Sequence, residues 1–362
     1  MVVFNRKCFL LAAFIAASGM AGAQSNKDSV WIQTKDGCKI YNPRPQKNES
    51  ITWTGKCKNG YASGEGTLIW YKNGEANQTY TGAMERGSSH GYGKYDYKTG
   101  TVYEGNFVRG VWEGSGKLTY SDKNQIVYYT YEGVFKKGIF DDTGTEIYYS
   151  RGDTTSIYKG GFLNDMRHGH GTLKLWGVNG ILVSKGTFLE GNLQDEQAEI
   201  WEYMQGVLVV YYKGGFRDGA RNGYGEEVQG DNKYEGQWEA DRKRGHGKLI
   251  YNGVVVYDGE WKDNQFDGLG TRLFLDGSEY KGEFDKNERH GFGVIRWKDG
   301  ARYVGEFKRD LFSGKGYTIF QNNRLNAAGT WEKGALVTPE KIVPLRQFLE
   351  MKHKDLFLRL KD

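Results

Sequence analysis

Few residues in this 362-residue chain have the types and spacing that catalysis or metal binding requires. The segment Gly114–Lys117, GSGK, resembles a phosphate-binding loop, but Val111 stands where a glycine is needed and Leu118 replaces Ser or Thr. His168 and His170 would share one face of a strand and so could hold a metal ion. No cysteine or carboxylate completes such a site. These residues therefore predict neither a metal site nor a cofactor.

Three glutamates recur at a constant interval, because Glu260, Glu283 and Glu306 are each 23 residues apart. If each interval holds two strands, neighbouring carboxylates lie about 10 Å apart. That distance is too long for a pair that shares a proton and is close to the separation in inverting glycosidases. Since the interval belongs to a whole repeated phrase, we interpret the three as a solvent-exposed ladder. We expect no enzymatic activity and infer no small-molecule substrate.

The phrase that carries these residues is copied several times along the chain. Residues 280–300 read YKGEFDKNERHGFGVIRWKDG, and two copies precede them, YEGQWEADRKRGHGKLIYNG and YDGEWKDNQFDGLGTRLFLDG. A fourth copy, YVGEFKRDLFSGKGYTIF, follows. The leading tyrosines advance by 23 residues, from Tyr234 through Tyr257 and Tyr280 to Tyr303. A fixed period of this size indicates a repeat architecture built from one supersecondary unit.

Each copy is predicted to form a β-hairpin with one aromatic face and one charged face. Alternation places Tyr280 and Phe284 on one side of a strand, with Lys281 and Glu283 on the other. After a polar turn, the next strand carries its glycines and Trp297 on one face. A mid-strand glycine is unfavourable, so we expect a neighbouring ring to lie across the bare backbone. The repeat glycines of the regular block are Gly236, Gly259, Gly282, Gly291, Gly293 and Gly305.

Similar units run through most of the chain. Eleven openings precede a truncated last copy, AGTW, that ends at Trp331; they begin at Trp53, Tyr80, Tyr103, Tyr131, Tyr158, Ser184, Tyr212, Tyr234, Tyr257, Tyr280 and Tyr303. Two copies are degenerate. The unit from Tyr131 keeps only Gly144 of its glycine pair, and the unit from Ser184 reads LQDEQAEIW where the pair is expected. We expect bulges or bends at these two places.

The first 23 residues read as a cleaved secretory signal. Arg6 and Lys7 precede a short apolar run, and Ala21-Gly22-Ala23 supplies a cleavage site. A transmembrane anchor is the alternative, but the run is shorter than the roughly 20 residues that span a membrane. Cys8 precedes the apolar run, which disfavours a lipid attachment site. We therefore expect an exported protein.

Export decides how the remaining cysteines and charges are interpreted. Cys38 and Cys57 are the two cysteines of the mature chain, in a compartment that permits disulfides, and we predict a bridge between them. The pair lacks the C-x-x-C spacing of a redox dithiol. Removing Arg6 and Lys7 lowers the net charge from +5 to +3. Such a mild and interspersed charge excludes a basic stripe, so no nucleic acid is expected as a partner.

The pattern Y-x-G-x-[FW] followed by G-x-G resembles the MORN repeat, from about Ile51 to Gly334. The resemblance implies an all-β, elongated, single-layer open meander of about twelve tandem hairpins, used for protein contact, self-association or membrane attachment. It does not imply catalysis. The opening GCKIYNPRP…ESITWTGKC resembles the start of exported bacterial members, which points to the periplasm or to secretion. All four prolines lie outside the array, as a continuous sheet requires. We expect a curved rod.

The chain is thus expected to contain four parts: a signal peptide (1–23), an N-terminal capping segment (24–50), the repeat array (51–337) and a C-terminal amphipathic helix (338–362). Apolar residues of the last part share one helical face: Leu345, Phe348, Leu349, Leu356 and Leu360. The helix is predicted to cap the last hairpin, as terminal repeats require. A basic helix on an anionic lipid surface and a partner-binding helix are the alternatives.

The favoured function is a non-catalytic exported scaffold that contacts a protein partner or a second copy. Lipid-surface attachment and glycan binding by the aromatic face are the alternatives. The predicted binding groove is the aromatic face of the regular block, lined by Tyr234, Trp238, Tyr257, Trp261, Tyr280, Phe284 and Trp297. If the sheet's own curvature and the C-terminal helix cover that face, binding falls to the charged face instead.

Overall fold

A computed structural model of the chain describes residues 30–359. The predicted signal peptide (1–23) and Leu360 of the predicted C-terminal helix lie outside the described residues. Over residues 30–359 the chain forms 28 strands, followed by two short helices. It divides into two compact units, here called unit 1 (Met1–Asn192 and Glu202–Val207) and unit 2 (Leu193–Trp201 and Leu208–Asp362).

Unit 1 begins with short strands and continues with long hairpins. Its strands are β1 (Val30–Gln33), β2 (Lys39–Asn42), β3 (Glu49–Trp53), β4 (Lys56–Lys58), β5 (Tyr61–Lys72), β6 (Glu75–Glu85), β7 (Ser88–Tyr97), β8 (Thr101–Val108), β9 (Val111–Ser121), β10 (Val127–Lys136), β11 (Ile139–Ser150), β12 (Asp153–Leu163), β13 (Met166–Trp176) and β14 (Gly180–Leu189). The chain then passes between the units in β15 (Asn192–Leu193), β16 (Asp195–Met204) and β17 (Val207–Arg217).

Unit 2 contains the regular copies of the repeat and the helices. Its further elements are β18 (Ala220–Gln229), β19 (Asn232–Glu239), β20 (Arg242–Tyr251), β21 (Val254–Lys262), β22 (Gln265–Leu273), β23 (Glu279–Asp285), β24 (Glu288–Arg296), β25 (Arg302–Lys308), β26 (Leu311–Ile319), β27 (Leu325–Glu332), β28 (Ala335–Pro339), α1 (Ile342–Lys352) and α2 (Lys354–Arg359).

Within each unit, consecutive long strands pair antiparallel, as the repeat predicts. The tip between β23 and β24 has two residues with positive φ, Lys286 at 50° and Asn287 at 72°. This is the geometry of a two-residue turn that matches the twist of its strands. The Asn287 amide donates to the Phe266 carbonyl (2.9 Å), and its side-chain oxygen accepts from the Phe266 amide (2.8 Å). Each tip is thereby tied to the hairpin before it. The predicted all-β meander of tandem hairpins with a short C-terminal helix is confirmed.

A tyrosine lies over a glycine pair in each regular unit. In β23, Gly282 pairs with Gly293 of β24. A Cβ atom on Gly293 would come within 2.5 Å of the Tyr280 ring, so a larger residue has no room there. The Tyr280 hydroxyl donates to the carbonyl of Glu283 (2.9 Å), next to a register shift in the β23–β24 pairing. The two glycines and the tyrosine ring therefore pack together, and the tyrosine hydroxyl forms a hydrogen bond at the bulge.

Within residues 30–359 the same hydrogen bond is found in nine units. We call its donors the capping tyrosines: Tyr80, Tyr103, Tyr131, Tyr158, Tyr212, Tyr234, Tyr257, Tyr280 and Tyr303. In the first unit Trp53 takes this place, and its indole N–H donates to the carbonyl of Lys56 (3.1 Å). All nine capping tyrosines are at most 1% exposed. The rings therefore form the core of the array.

The two degenerate units behave differently. We expected a bulge or a bend in the Tyr131 unit. A register shift lies at Gly133, but the same shift recurs in the regular units and β11 runs unbroken, so the missing glycine adds no bend there. Asp142 takes that glycine's place with a φ of 59°, a conformation that Asp tolerates. In the Ser184 unit the strand is interrupted at Gln194, between β15 and β16, as predicted.

The N-terminal segment lies against the first hairpins. The amides of Lys39 and Tyr41 in β2 donate to the carbonyls of Gly60 and Gly87, two hairpin-tip glycines. Cys38 and Cys57 form a disulfide with a Cα–Cα distance of 5.7 Å. Cys57 occupies the slot that holds Phe or Trp in most other units, so a covalent bond stands where those units use a ring contact.

Candidate protein-binding face

The predicted aromatic groove is not open. Six of its seven rings are buried at 0–6% exposure: Tyr234, Trp238, Tyr257, Trp261, Tyr280 and Phe284. Trp297 follows the end of β24 and is partly exposed. Burial arises within the sheet itself, because each ring contacts the next unit; Phe284 lies 5.1 Å from Tyr280 and 5.4 Å from Tyr257, both edge to face. This corrects the expectation of a groove wall, and we call this side the ring face.

Of the six repeat glycines, five lie beneath the rings. A Cβ on Gly236, Gly259, Gly282, Gly293 or Gly305 would press on a capping tyrosine. Gly291 has a different role. Its φ of 57° is a left-handed conformation, and a side chain there would overlap the carboxylate of Glu283. This glycine makes room on the opposite side of the sheet.

The side opposite the rings, here called the open face, carries polar residues at most positions. In unit 2 the cross-strand partners His246 and Glu260, and Leu269 and Glu283, belong to it. Asp258 also lies there, in ion pairs with His246 (3.1 Å) and Lys248 (3.4 Å). The open face therefore combines exposed polar groups with a few apolar side chains.

The C-terminal helix α1 packs on the open face of the last hairpins. Register places the apolar residues beneath it on the face opposite Tyr303, because Val304 pairs with both Val294 and Tyr317. The buried cluster comprises Phe292, Val304, Tyr317, Ala328, Leu345 and Leu349, with Val294, Ile319, Ile342 and Leu356 packed against it. Phe348, predicted for the buried side of the helix, is 40% exposed. The helix thus covers the face that the predicted groove does not use.

Apolar residues in normally polar slots mark this helix site in the sequence. The earlier copies YKGEF and YDGEW carry Lys281 and Asp258 where YVGEF carries Val304. Phe292 likewise occupies the slot held by His246 and Leu269 in the two preceding units. Sequence reasoning missed this signal because it compared what the copies share, not where the last ones differ.

Glu306 joins the helix to the sheet. One carboxylate oxygen accepts from the Lys315 amide (2.8 Å), and the other is bonded to Lys352 and lies 3.4 Å from Nε2 of His353. The His353 ring stacks on Phe292 with centroids 4.5 Å apart. Burial acts to raise the pKa of Glu306, but the hydrogen bonds from Lys352, the Lys315 amide and His353 hold it below its usual value.

Glu283, one unit away, holds the same pose, and the carboxylate of Glu260, two units away, lies over the equivalent glycine. The Glu283 carboxylate accepts from the Phe292 amide (3.1 Å). A side chain on Gly268, Gly291 or Gly314 would overlap the carboxylate of Glu260, Glu283 or Glu306, respectively. Of the glutamates predicted to be a solvent-exposed ladder, Glu283 and Glu306 are therefore anchored to the neighbouring strand by a backbone amide, whereas Glu260 is exposed. Within residues 30–359, only Glu306 of the three forms an ion pair with a basic side chain.

The open face of unit 1 contains a shallow groove. Its lining includes acidic, basic and small residues: Tyr92, Glu104, Asn106, Ser115, Gly116, Lys117, Glu132, Gly133, Val134, Thr143, Gly144, Thr145, Lys159 and Gly160. Tyr92 is 61% exposed, and its hydroxyl donates to Glu104 (2.8 Å). This groove was not predicted, since its residues vary from copy to copy.

The structure groups no metal ligands in the part of the chain that it describes. Over residues 30–359, no three His, Cys, Asp or Glu side chains are grouped to hold a metal ion. His170, considered above as a ligand, has Nδ1 at 3.2 Å from the hydroxyl of Thr187. Neither helix within those residues is long and apolar enough to cross a membrane.

The chain is similar to a known repeat family and to a curated protein. A stretch of 175 residues is 27% identical to Alsin of Rattus norvegicus, and it covers 48% of this chain but only 9% of Alsin. The MORN repeat model matches nine segments: 55–75, 80–102, 103–125, 158–175, 212–232, 234–253, 257–279, 280–302 and 303–323. The unmatched units are the two degenerate ones and the truncated last one. Because the matched segments cover over half of the chain, it belongs to the MORN-repeat family.

Proposed function

We propose that this chain is a non-catalytic exported scaffold that binds a protein partner through its open face. Repeats of its family are typically modules for protein or membrane contact. Export, to the bacterial periplasm or the medium, is part of the proposal and rests on the N-terminal sequence. Self-association through the same face is the variant in which the partner is a second copy.

One observation carries the proposal, namely that the chain's own helix already lies on the open face. The ring face presents little exposed aromatic surface to a partner, because its large side chains are buried against neighbouring units. The open face keeps exposed groups in both units, including Tyr92 and Tyr224, which is 55% exposed. A face that accommodates α1 through apolar contacts and a carboxylate has the chemistry of a protein-binding surface.

Capture from an envelope extract tests the proposal, with residues 24–362 as bait. We expect a defined protein to bind the wild-type chain and to be lost from Tyr92→Asp or Leu269→Asp, which alter the open face of unit 1 and of unit 2. Val178→Asp is the matched control, because Val178 is 99% exposed outside the strands. Capture that survives both open-face variants would contradict binding at this face, and no specific capture would contradict the scaffold.

Attachment to a lipid surface is the second candidate, favoured by the outer side of α1. Val343 and Met351 are 64% and 75% exposed there, near the basic Arg346. Flotation with anionic liposomes distinguishes the candidates. Lipid attachment requires flotation that Val343→Asp and Met351→Asp abolish, whereas the scaffold requires neither residue.

A further inference from the structure

We propose that the open face of unit 2 at Glu260 and Glu283 binds an amphipathic helix of a partner protein that carries lysine or arginine at every seventh residue. This inference rests on the proposed scaffold function and names the partner's chemistry. It starts from the contact between the chain's own helix and Glu306, and it extends that contact to the two preceding units.

The intrachain contact shows what the site recognises. Phe292 and Glu306 are cross-strand partners, so an apolar side chain and a carboxylate lie next to each other. The helix meets this pair with Leu349 in the apolar cluster and with Lys352 and His353 at the carboxylate. An apolar anchor followed within one helical turn by a cation is therefore the complement of one such pair.

The preceding unit presents a second pair of the same kind. Leu269 pairs with Glu283 across the strands, as Phe292 pairs with Glu306. Glu283 is fixed by the Phe292 amide just as Glu306 is fixed by the Lys315 amide. A carboxylate held by a backbone N–H loses little side-chain entropy when a cation binds it. The site is therefore prepared before a partner arrives.

The unit two repeats before Glu306 offers a carboxylate with a less apolar neighbour. Glu260 is exposed, and its cross-strand partner is His246. The cations nearby are already engaged, since Lys248 and His246 pair with Asp258. Over residues 30–359, neither Glu260 nor Glu283 has a Lys, Arg or His ion-pair partner. The open face in this block is thus complementary to added positive charge.

Spacing selects a helix running across the strands. Each unit contributes two strands, so successive carboxylates are about 10 Å apart at 4.7–4.9 Å per strand. An α-helix rises 1.5 Å per residue, so seven residues also advance about 10 Å. A helix with one cation per heptad therefore meets Glu283 and Glu260 in turn. Anionic lipid would be repelled by the same carboxylates.

A labelled helical peptide provides the test, used with the complete mature chain. The probe has leucines along one face and one lysine per heptad beside them; the control peptide has the same composition with the lysines on the opposite face. We expect Glu283→Gln to weaken probe binding about tenfold and Glu260→Gln/Glu283→Gln about a hundredfold. Glu288→Gln, exposed at the adjacent hairpin tip, should leave it unchanged.

Glutamine preserves the acceptor for the Phe292 amide, so these variants should keep the wild-type melting temperature. Equal binding of the two peptides, or full binding by the double variant, would overturn this site while leaving the scaffold proposal to the capture experiment. Light scattering tests whether a second copy of the chain occupies the site instead. A dimer of the chain that Glu283→Gln dissolves would assign the site to a second copy and would also overturn the proposal.

Discussion

The units that open at Tyr131 and at Ser184 both depart from the repeated phrase, and only the first keeps the geometry of the array. The Tyr131 unit lacks one glycine, yet β10 and β11 pair along their length and Gly133 still pairs with Gly144. The Ser184 unit has neither the tyrosine nor the glycine pair, and its second strand is broken at Gln194.

The difference identifies which residues define the repeat. A left-handed turn position tolerates replacement, because Asp142 adopts the required φ. The glycine beneath the ring does not, since a Cβ on Gly144 would lie 2.6 Å from ring atoms of Tyr131. Where Ser184 replaces the tyrosine, the constraint disappears, and the exposed Gln197 stands at the corresponding position of the sequence. Ring and glycine are lost together because each requires the other.

If the rings hold the array together, high pH should unfold it. Burial raises the pKa of each capping tyrosine above the usual value of about 10, for Tyr158 to about 12. The unfolded chain therefore ionises first. The stability contribution is complete below pH 10 and falls above it by about 1.4 kcal/mol per pH unit for each tyrosine, until its folded pKa is reached.

Circular dichroism and tyrosinate absorbance measure this effect together. We expect the strand signal to collapse cooperatively just above pH 10, with the nine capping tyrosines ionising in the same step. Tyrosinate formation with an ordinary pKa and an intact strand signal would show that the rings are not the core.

Valine substitutions at corresponding sequence positions of the two degenerate units test directly whether the ring requires a glycine beneath it. Gly144→Val should lower the free energy of unfolding by up to about 3 kcal/mol, because the side chain would overlap the Tyr131 ring. Gln197→Val should change it by less than about 0.5 kcal/mol, since no capping tyrosine exists in that unit. Urea titration of both variants measures the difference, and equal midpoints would refute the account.

The sequence predicts the hairpins well because their period, turns and glycines are local features. It does not predict which face stays open. Alternation puts Tyr257, Trp261 and Phe284 on one side, but only the structure shows these rings packed against neighbouring units and their own glycines. The position of a residue in its strand determines on which face of the sheet the side chain lies. Its exposure to solvent depends on residues from other units.

The glutamates and the helix illustrate the same limit. Period alone places Glu283 and Glu306 on one face, but their bonds to the Phe292 and Lys315 amides depend on the bulge and the left-handed glycines. The apolar pattern of α1 predicts a packed helix without naming its side of the sheet. The usable signal was Val304, which departs from the repeated phrase. The helix contacts the positions at which the last units differ from the earlier copies.

The smallest expected effect separates the capping hydrogen bond from the ring itself. In Tyr131→Phe the ring stays over Gly133 and Gly144, but the Val134 carbonyl at the bulge loses its donor at 3.1 Å. We expect a loss of about 1 kcal/mol in the free energy of unfolding. Tyr128→Phe is the control, because Tyr128 lies in the same strand and is 49% exposed.

Hydrogen exchange at β10 and β11 should report the change locally, with faster exchange in the first variant and not in the second. If Tyr131→Phe matches Tyr128→Phe in both stability and exchange, ring packing alone maintains the unit. The hydroxyl would then be a consequence of the bulge and not one of its causes. The Ser184 unit would in that case differ from the Tyr131 unit through its missing ring and glycines only.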